Sequence, residues 1–218
     1  MQQSLSFERS VTQRVGLGYL LHLPPGYKDG KRWPLILFLH GMGERGDDLE
    51  RVKVHGIARV AEEQPELLAR FVAVSPQCPL NTYWTHQQHA LNGLLDHVLE
   101  QYAVDPDRIY LTGLSMGGFG AWFLGMTSPQ RFAAMAPICG GGEPYAASLL
   151  KDMPIWVFHG AKDRIVPPSE SRRMVRALKA VGSSAKLTIY PEADHDSWTQ
   201  TYNNPELYDW FLLHRLPR

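Results

Sequence analysis

The 218-residue sequence predicts an α/β fold in which a mostly parallel central sheet is covered by helices on both faces. Three observations lead there. Several short apolar runs, such as residues 35–39 (LILFL) and 155–158 (IWVF), are continuous, as expected of strands buried on both sides. Between them lie longer segments whose apolar residues recur at helical spacing. One early segment instead alternates with period two, the mark of a half-buried strand near a sheet edge.

That early segment is residues 15–23, where Val15, Leu17, Tyr19, Leu21 and Leu23 alternate before Pro24-Pro25-Gly26 closes the strand. It is expected to be antiparallel. Residues 35–39, 71–74, 109–112 and 155–158 are the predicted central strands, and 133–138 and 187–190 complete the set with weaker apolar character. Leu91, Leu94, Leu95, Val98, Leu99 and Tyr102 form one apolar stripe at i, i+3, i+4, i+7, i+8 and i+11, which predicts a helix ending before Asp105-Pro106. Met174, Val175, Leu178 and Val181 repeat that pattern and meet Gly182, a residue suited to the left-handed position beyond a helix end. Residues 116–127 and 205–214 are also predicted to be helical. No repeat, linker or low-complexity tract divides the chain, so residues 1–218 are read as one domain without a large lid domain.

Composition excludes several classes. Lys plus Arg and Asp plus Glu each number 22, so no bulk field would draw the chain to nucleic acid or anionic lipid. The apolar runs are far shorter than the roughly 20 residues that span a bilayer. Residues 1–14 lack the apolar centre of an export signal, which makes a cytoplasmic location the expectation. Cys78 and Cys139 stand 61 positions apart, neither a disulfide framework nor a metal unit, and are read as reduced, buried thiols. His86 and His89 sit at i, i+3, but no third ligand stands at telling spacing, so no metal site is expected.

The chemistry is concentrated in three loops. Residues 108–112 run into Gly113-Leu114-Ser115-Met116-Gly117 and then a helical segment, which gives GxSxG its required strand, tight turn and helix. Side chains at 113 and 117 would collide in so sharp a turn, while Ser115 projects its hydroxyl clear of the sheet. A serine hydroxyl needs a base within reach, and the base needs a carboxylate to fix its tautomer and stabilise its cation. In this setting the partners follow as acid, then histidine. Residues 155–158 end in His159-Gly160-Ala161-Lys162-Asp163, which places Asp163 just past the carboxyl end of a strand, where open α/β sheets bind ligands. Residues 187–190 lead into a second such loop carrying His195. Asp194 and Asp196 lie nearer to His195 along the chain but point elsewhere as its neighbours. His40 and His159 end buried strands and read as structural members of His-Gly turns.

With these residues in view, the chain resembles the α/β-hydrolase superfamily, in particular the compact carboxylesterase, acyl-protein thioesterase and dienelactone-hydrolase-like members. Residues 39–46 (LHGMGERG) are similar to the HGxGxxG loop of the esterases, residues 113–117 to the nucleophile turn, and His159-Gly160, Asp163 and Val166-Pro167 to the HGxxDxxVP acid loop. Dienelactone hydrolases proper use cysteine where this chain has Ser115, so that likeness extends to architecture and not to the nucleophile. The segment from His195 to Trp198, followed by Tyr202, Pro205 and Trp210, looks more like the peptidase and feruloyl-esterase-like branch. The resemblance implies a Ser115, His195, Asp163 triad and an oxyanion hole formed by the backbone N–H groups of Met42 and Met116. Gly41 and Gly43 would let backbone approach the substrate, and with Gly117, Trp84, Ile165, Val166 and Trp198 they are the expected pocket residues.

The expectation is therefore a serine hydrolase that cleaves small carboxylic esters through an acyl-enzyme, with no metal or organic cofactor. Its activity would rise with pH as the histidine base becomes neutral. Only residues 140–153 separate two strands beyond the nucleophile, too few for a large lid, which favours short or water-soluble acyl groups. A thioesterase of the acyl-protein or acyl-CoA type, a peptidase and a non-catalytic binding scaffold are the alternatives. A monomer and a homodimer are both compatible with the sequence.

Overall fold

A computed structural model describes residues 2–28 and 31–217. Seven strands form one sheet in the order β1-β3-β2-β4-β5-β6-β7. They are β1 (Tyr19–His22), β2 (Trp33–Leu39), β3 (Val72–Pro76), β4 (Val104–Leu114), β5 (Ala134–Ile138), β6 (Trp156–Gly160) and β7 (Lys186–Tyr190). β1 runs antiparallel to β3, with Tyr19 opposite Pro76 and His22 opposite Ala73, and every other pairing is parallel. The edge strand is shorter than the alternation over 15–23 implies, because only these four residues find partners on β3. β4 is longer than predicted. It starts at Val104 opposite Trp33, and residues 105–108 bulge before Ile109 rejoins the ladder opposite Leu35, which is how Pro106 is accommodated inside a strand.

The helices are α1 (Gly56–Glu63), α2 (Gln88–Gln101), α3 (Met116–Thr127), α4 (Ser169–Ala180), α5 (Trp198–Tyr202) and α6 (Pro205–Leu212). The stripe on α2 and that on α4 lie where the spacing predicts them, and Gly182 takes φ +88° just beyond α4. α6 stops at Leu212, two residues short of the predicted end.

Strand periodicity divides the apolar residues between two cores. Leu35, Leu37, Leu39, Ile109 and Leu111 face the side covered by α2, α3 and α4, where they pack with Leu95, Val98, Trp122 and Met174. Ile36, Phe38 and Tyr110 face the side covered by α1, α5 and α6, where Ile57, Tyr202, Tyr208 and Phe211 meet them. Continuous hydrophobicity in the central strands thus reflects burial on both faces, and all of β2 is buried. No described helix is long and apolar enough to cross a membrane. The parallel strands deliver the loops after β2, β4, β6 and β7 to one end of the sheet, where the cavity lies.

Candidate active site

Ser115 occupies the turn between β4 and α3 with φ 52° and ψ −116°, a backbone region that L-residues rarely adopt. Its N–H donates to the Ile138 carbonyl at 3.0 Å, which ties the strained turn to β5. A Cβ added at Gly113 would stand 2.3 Å from the Gly117 carbonyl oxygen, and one at Gly117 would stand 1.9 Å from that of Leu39. Both positions require glycine because backbone meets backbone there.

The three polar side chains singled out in the sequence are brought into one line. His195 Nε2 lies 2.9 Å from Ser115 Oγ, and His195 Nδ1 lies 2.7 Å from Asp163 Oδ2. An ionised carboxylate only accepts, so Nδ1 carries the proton and Nε2 is left free to accept from the serine hydroxyl. Asp163 Oδ1 accepts from the N–H groups of Ile165 and Val166, each at 2.9 Å. Burial alone would raise the Asp163 carboxyl. The hydrogen bond from His195 and the two amides outweigh it and hold its pKa below the ordinary carboxylate value. Ser115 is half-buried and lines the cavity at this end of the sheet.

His40 and His159 are fully buried, as their reading as structural residues requires. His40 Nε2 accepts from the Cys78 N–H at 2.9 Å, so its proton sits on Nδ1 and is donated to the Gly41 carbonyl at 2.6 Å. His159 Nε2 donates to the Val166 carbonyl at 2.9 Å and stands 3.2 Å from Asp163 Oδ2. His159 thereby buttresses the acid loop, a contact that the sequence reading did not include.

The loop after β2 is held by side chains that donate to its carbonyls. Trp84 Nε1 donates to His40 O, Arg45 Nε to Met42 O, Arg51 to Gly43 O, and Gln77 Nε2 to both Glu44 O and Asp48 O, at 2.8–3.2 Å. The Met42 N–H shares its peptide plane with the Gly41 carbonyl, which His40 Nδ1 holds at 2.6 Å, so its orientation is fixed too. Met116 is the first residue of α3, where helix geometry leaves an N–H without an intrahelical acceptor. These tethers were missed from the sequence, since nothing in the spacing of Arg51 or Gln77 marks them as partners of residues 43–48.

A cavity of ≈640 Å³ opens over Ser115. Gly41, Met42, Gly43, Trp84, Met116, Ile165, Val166 and Trp198 line it, as do Tyr83, Phe119, Glu44 and His55, which the sequence did not single out. Gly117 is corrected: it does not line the cavity, because its missing side chain serves the close approach to β2. Trp84 is 1% exposed, and its main engagement is with His40, whereas Ile165 is 72% exposed at the rim rather than buried under the acid loop.

Cys78 and Cys139 are free and buried. Among the described residues, Cys139, Asp163 and His195 form a group of potential metal ligands, with ligand atoms within 4.8 Å of one another. The set does not fit a cation: the Asp163 and His195 atoms are engaged in the hydrogen bonds above, and burial pushes the Cys139 thiol up to about 12.

Residues 66–207 match the family model of the dienelactone hydrolase family, a span that contains Ser115, Asp163 and His195. The chain belongs to the dienelactone hydrolase family. It is 28% identical over 193 residues to the bifunctional acetylxylan esterase/xylanase XynS20E of Neocallimastix patriciarum, covering 81% of this chain and 26% of that protein. It is 26% identical over 156 residues to the Probable feruloyl esterase C of Aspergillus terreus, covering 70% of this chain and 57% of that one. Among solved structures, that of a thermostable esterase superposes with a TM-score of 0.82 at 32% identity, covering 91% of this chain and 59% of that chain. The chain thus spans from about a quarter to just over half of the length of these relatives.

Proposed function

We propose that the chain hydrolyses carboxylic esters, with Ser115 as nucleophile, His195 as general base and then general acid, and Asp163 as the group that orients the imidazole. The continuous hydrogen-bonded line from Ser115 Oγ through His195 to Asp163, with contacts of 2.9 and 2.7 Å, carries this reading. The names of the esterase relatives support it.

In the proposed reaction His195 Nε2 removes the Ser115 proton as Oγ attacks the ester carbon. The carbonyl oxygen becomes an oxyanion that the Met42 and Met116 N–H groups receive, each such donor typically contributing about 3 kcal/mol to the transition state. The tethered carbonyls of residues 40–44 mean that little reorganisation accompanies this charge development. Asp163 stabilises the imidazolium, which passes its proton to the departing alkoxide and leaves an acyl-Ser115 ester. Water, deprotonated by the now neutral His195, attacks the acyl carbon and restores the serine. The open, carbon-lined cavity favours short acyl groups on small-molecule esters.

Labelling by a fluorophosphonate, with hydrolysis of phenyl acetate measured alongside, tests the assignment. Both are expected in the native chain and neither in Ser115→Ala. Retention of full hydrolysis by Ser115→Ala would refute it.

A further inference from the structure

The acid loop holds a second imidazole against Asp163, and the ester-cleaving scheme gives it no part. The side chains of His159 and Asp163 are both closed to solvent, and His159 Nε2 stands 3.2 Å from Asp163 Oδ2, the same oxygen that His195 Nδ1 reaches at 2.7 Å. A carbonyl only accepts, so the bond to Val166 O at 2.9 Å puts the His159 proton on Nε2. His159 Nδ1 must then accept, and the buried Ser171 Oγ on α4 donates to it at 2.7 Å. Ser171 thereby fixes the tautomer that brings an N–H, and not a lone pair, up to Asp163.

These contacts close a ring. Val166 donates its N–H to Asp163 Oδ1 and accepts from His159 at its carbonyl, while His159 Nε2 stands against Asp163 Oδ2. A carboxylate offers about four acceptor positions. On Asp163 the Ile165 and Val166 amides face Oδ1 and the two imidazoles face Oδ2, so the chain itself surrounds both oxygens. Burial pulls His159 below its ordinary pKa in spite of the neighbouring carboxylate, so His159 presents an N–H dipole and not a full charge. A full charge would cancel the field that Asp163 exerts on His195, whereas a dipole only trims it. The remaining ionisable groups near the pair leave that field to these residues: burial pushes the Cys139 thiol after β5 up to about 12, Glu170 on α4 pairs with Arg173, Lys162 pairs with Glu192, and Arg164, Asp194 and Asp196 are exposed.

We propose that His159, held by Ser171, is a positioning residue for the ester cleavage: its Nε2–H keeps Asp163 Oδ2 in line with His195 and moderates the pull of the carboxylate on the His195 imidazolium. The inference rests on the ester-hydrolase reading above and adds a residue to its machinery. Without the dipole Asp163 grips the imidazolium more strongly, so cleavage begins only in more alkaline solution. Oδ2 is also left short of a donor in a place closed to water, which loosens its alignment with His195. Because His159 touches no part of the cavity, its loss falls on kcat and leaves KM almost unchanged.

The pH profile of kcat/KM on phenyl acetate tests the proposal. His159→Leu removes both ring nitrogens, and the half-maximal point of its acid limb should move up by about 0.5–1 pH unit, with kcat on the plateau down by about 10-fold and KM changed by less than about 2-fold. His159→Gln carries an amide N–H at similar reach and should restore the native midpoint and most of kcat. Ser171→Ala removes only the donor to Nδ1 and lets the ring lose its orientation, so the midpoint should move the same way by about 0.3 pH unit. A lowered kcat with the native midpoint in His159→Leu is what a merely structural residue would give, and it would overturn the proposal. If His159→Leu fails to fold, an unmoved midpoint in Ser171→Ala would overturn it alone. No turnover by the native chain, with Ser115 inert toward a fluorophosphonate, would instead remove the hydrolase reading and this inference with it.

Discussion

The indole Nε1 of Trp84 donates to the main-chain carbonyl of His40 at 2.9 Å, and the two rings pack edge to face with centroids 4.9 Å apart. A buried tryptophan thus fixes the first peptide of the loop that presents the Met42 amide. Trp84→Phe removes one neutral hydrogen bond, typically about 1 kcal/mol, while keeping an aromatic ring. The expected result is a fall in kcat of about 5-fold on phenyl acetate with KM little changed, since the loss falls on alignment of the proposed oxyanion donors.

Asp163→Asn preserves shape and removes the carboxylate that holds the proton on His195 Nδ1. The amide can donate to Nδ1 and so favour the tautomer that cannot accept from Ser115. Single-turnover measurements at neutral pH are expected to show acylation slowed by about 10⁴-fold, with the fold intact by circular dichroism.

Gly117→Ala places a methyl group 1.9 Å from the Leu39 carbonyl oxygen, where only backbone movement relieves the clash. Urea denaturation is expected to show destabilisation of about 3 kcal/mol, at the upper end of overpacking costs. Activity should fall with it, because Leu39 leads directly into the loop that carries Met42.

Burial pulls His40 from its ordinary 6.5 down to about 4, so the unfolded chain takes up this proton at a pH where the folded chain does not. The resulting stability is fully present above about pH 6.5 and is lost as pH falls toward 4, on the order of 3 kcal/mol in all. Denaturant midpoints across that range should decline in the native chain, and the decline should be shallower in His40→Gln, whose side-chain oxygen still accepts from the Cys78 N–H.

The parallel core was legible because residues 35–39 and 109–112 are too apolar for any strand with a wet face, and GxSxG between a strand and a helix marked Ser115 as the candidate nucleophile. Asp163 and His195 were singled out by their places beyond strand ends; in the structure His195 lies 2.9 Å from Ser115 Oγ and 2.7 Å from Asp163 Oδ2. The boundaries of β1 were not legible, since alternation reports which residues share a face and only pairing with β3 decides which join the sheet. The tethers from Gln77 and Trp84 were hidden for a related reason: a side chain that bonds to backbone carbonyls 33 or 44 positions away leaves no pattern in the carbonyls' own residues.

The five side-chain bonds that pin the carbonyls of residues 40–48 have a consequence for how the protein works in time. They are made within the chain itself, so the proposed oxyanion loop is set before an ester arrives. Catalysis should begin without a lag, follow ordinary saturation with esters dissolved as single molecules, and show no jump when those esters form droplets or micelles.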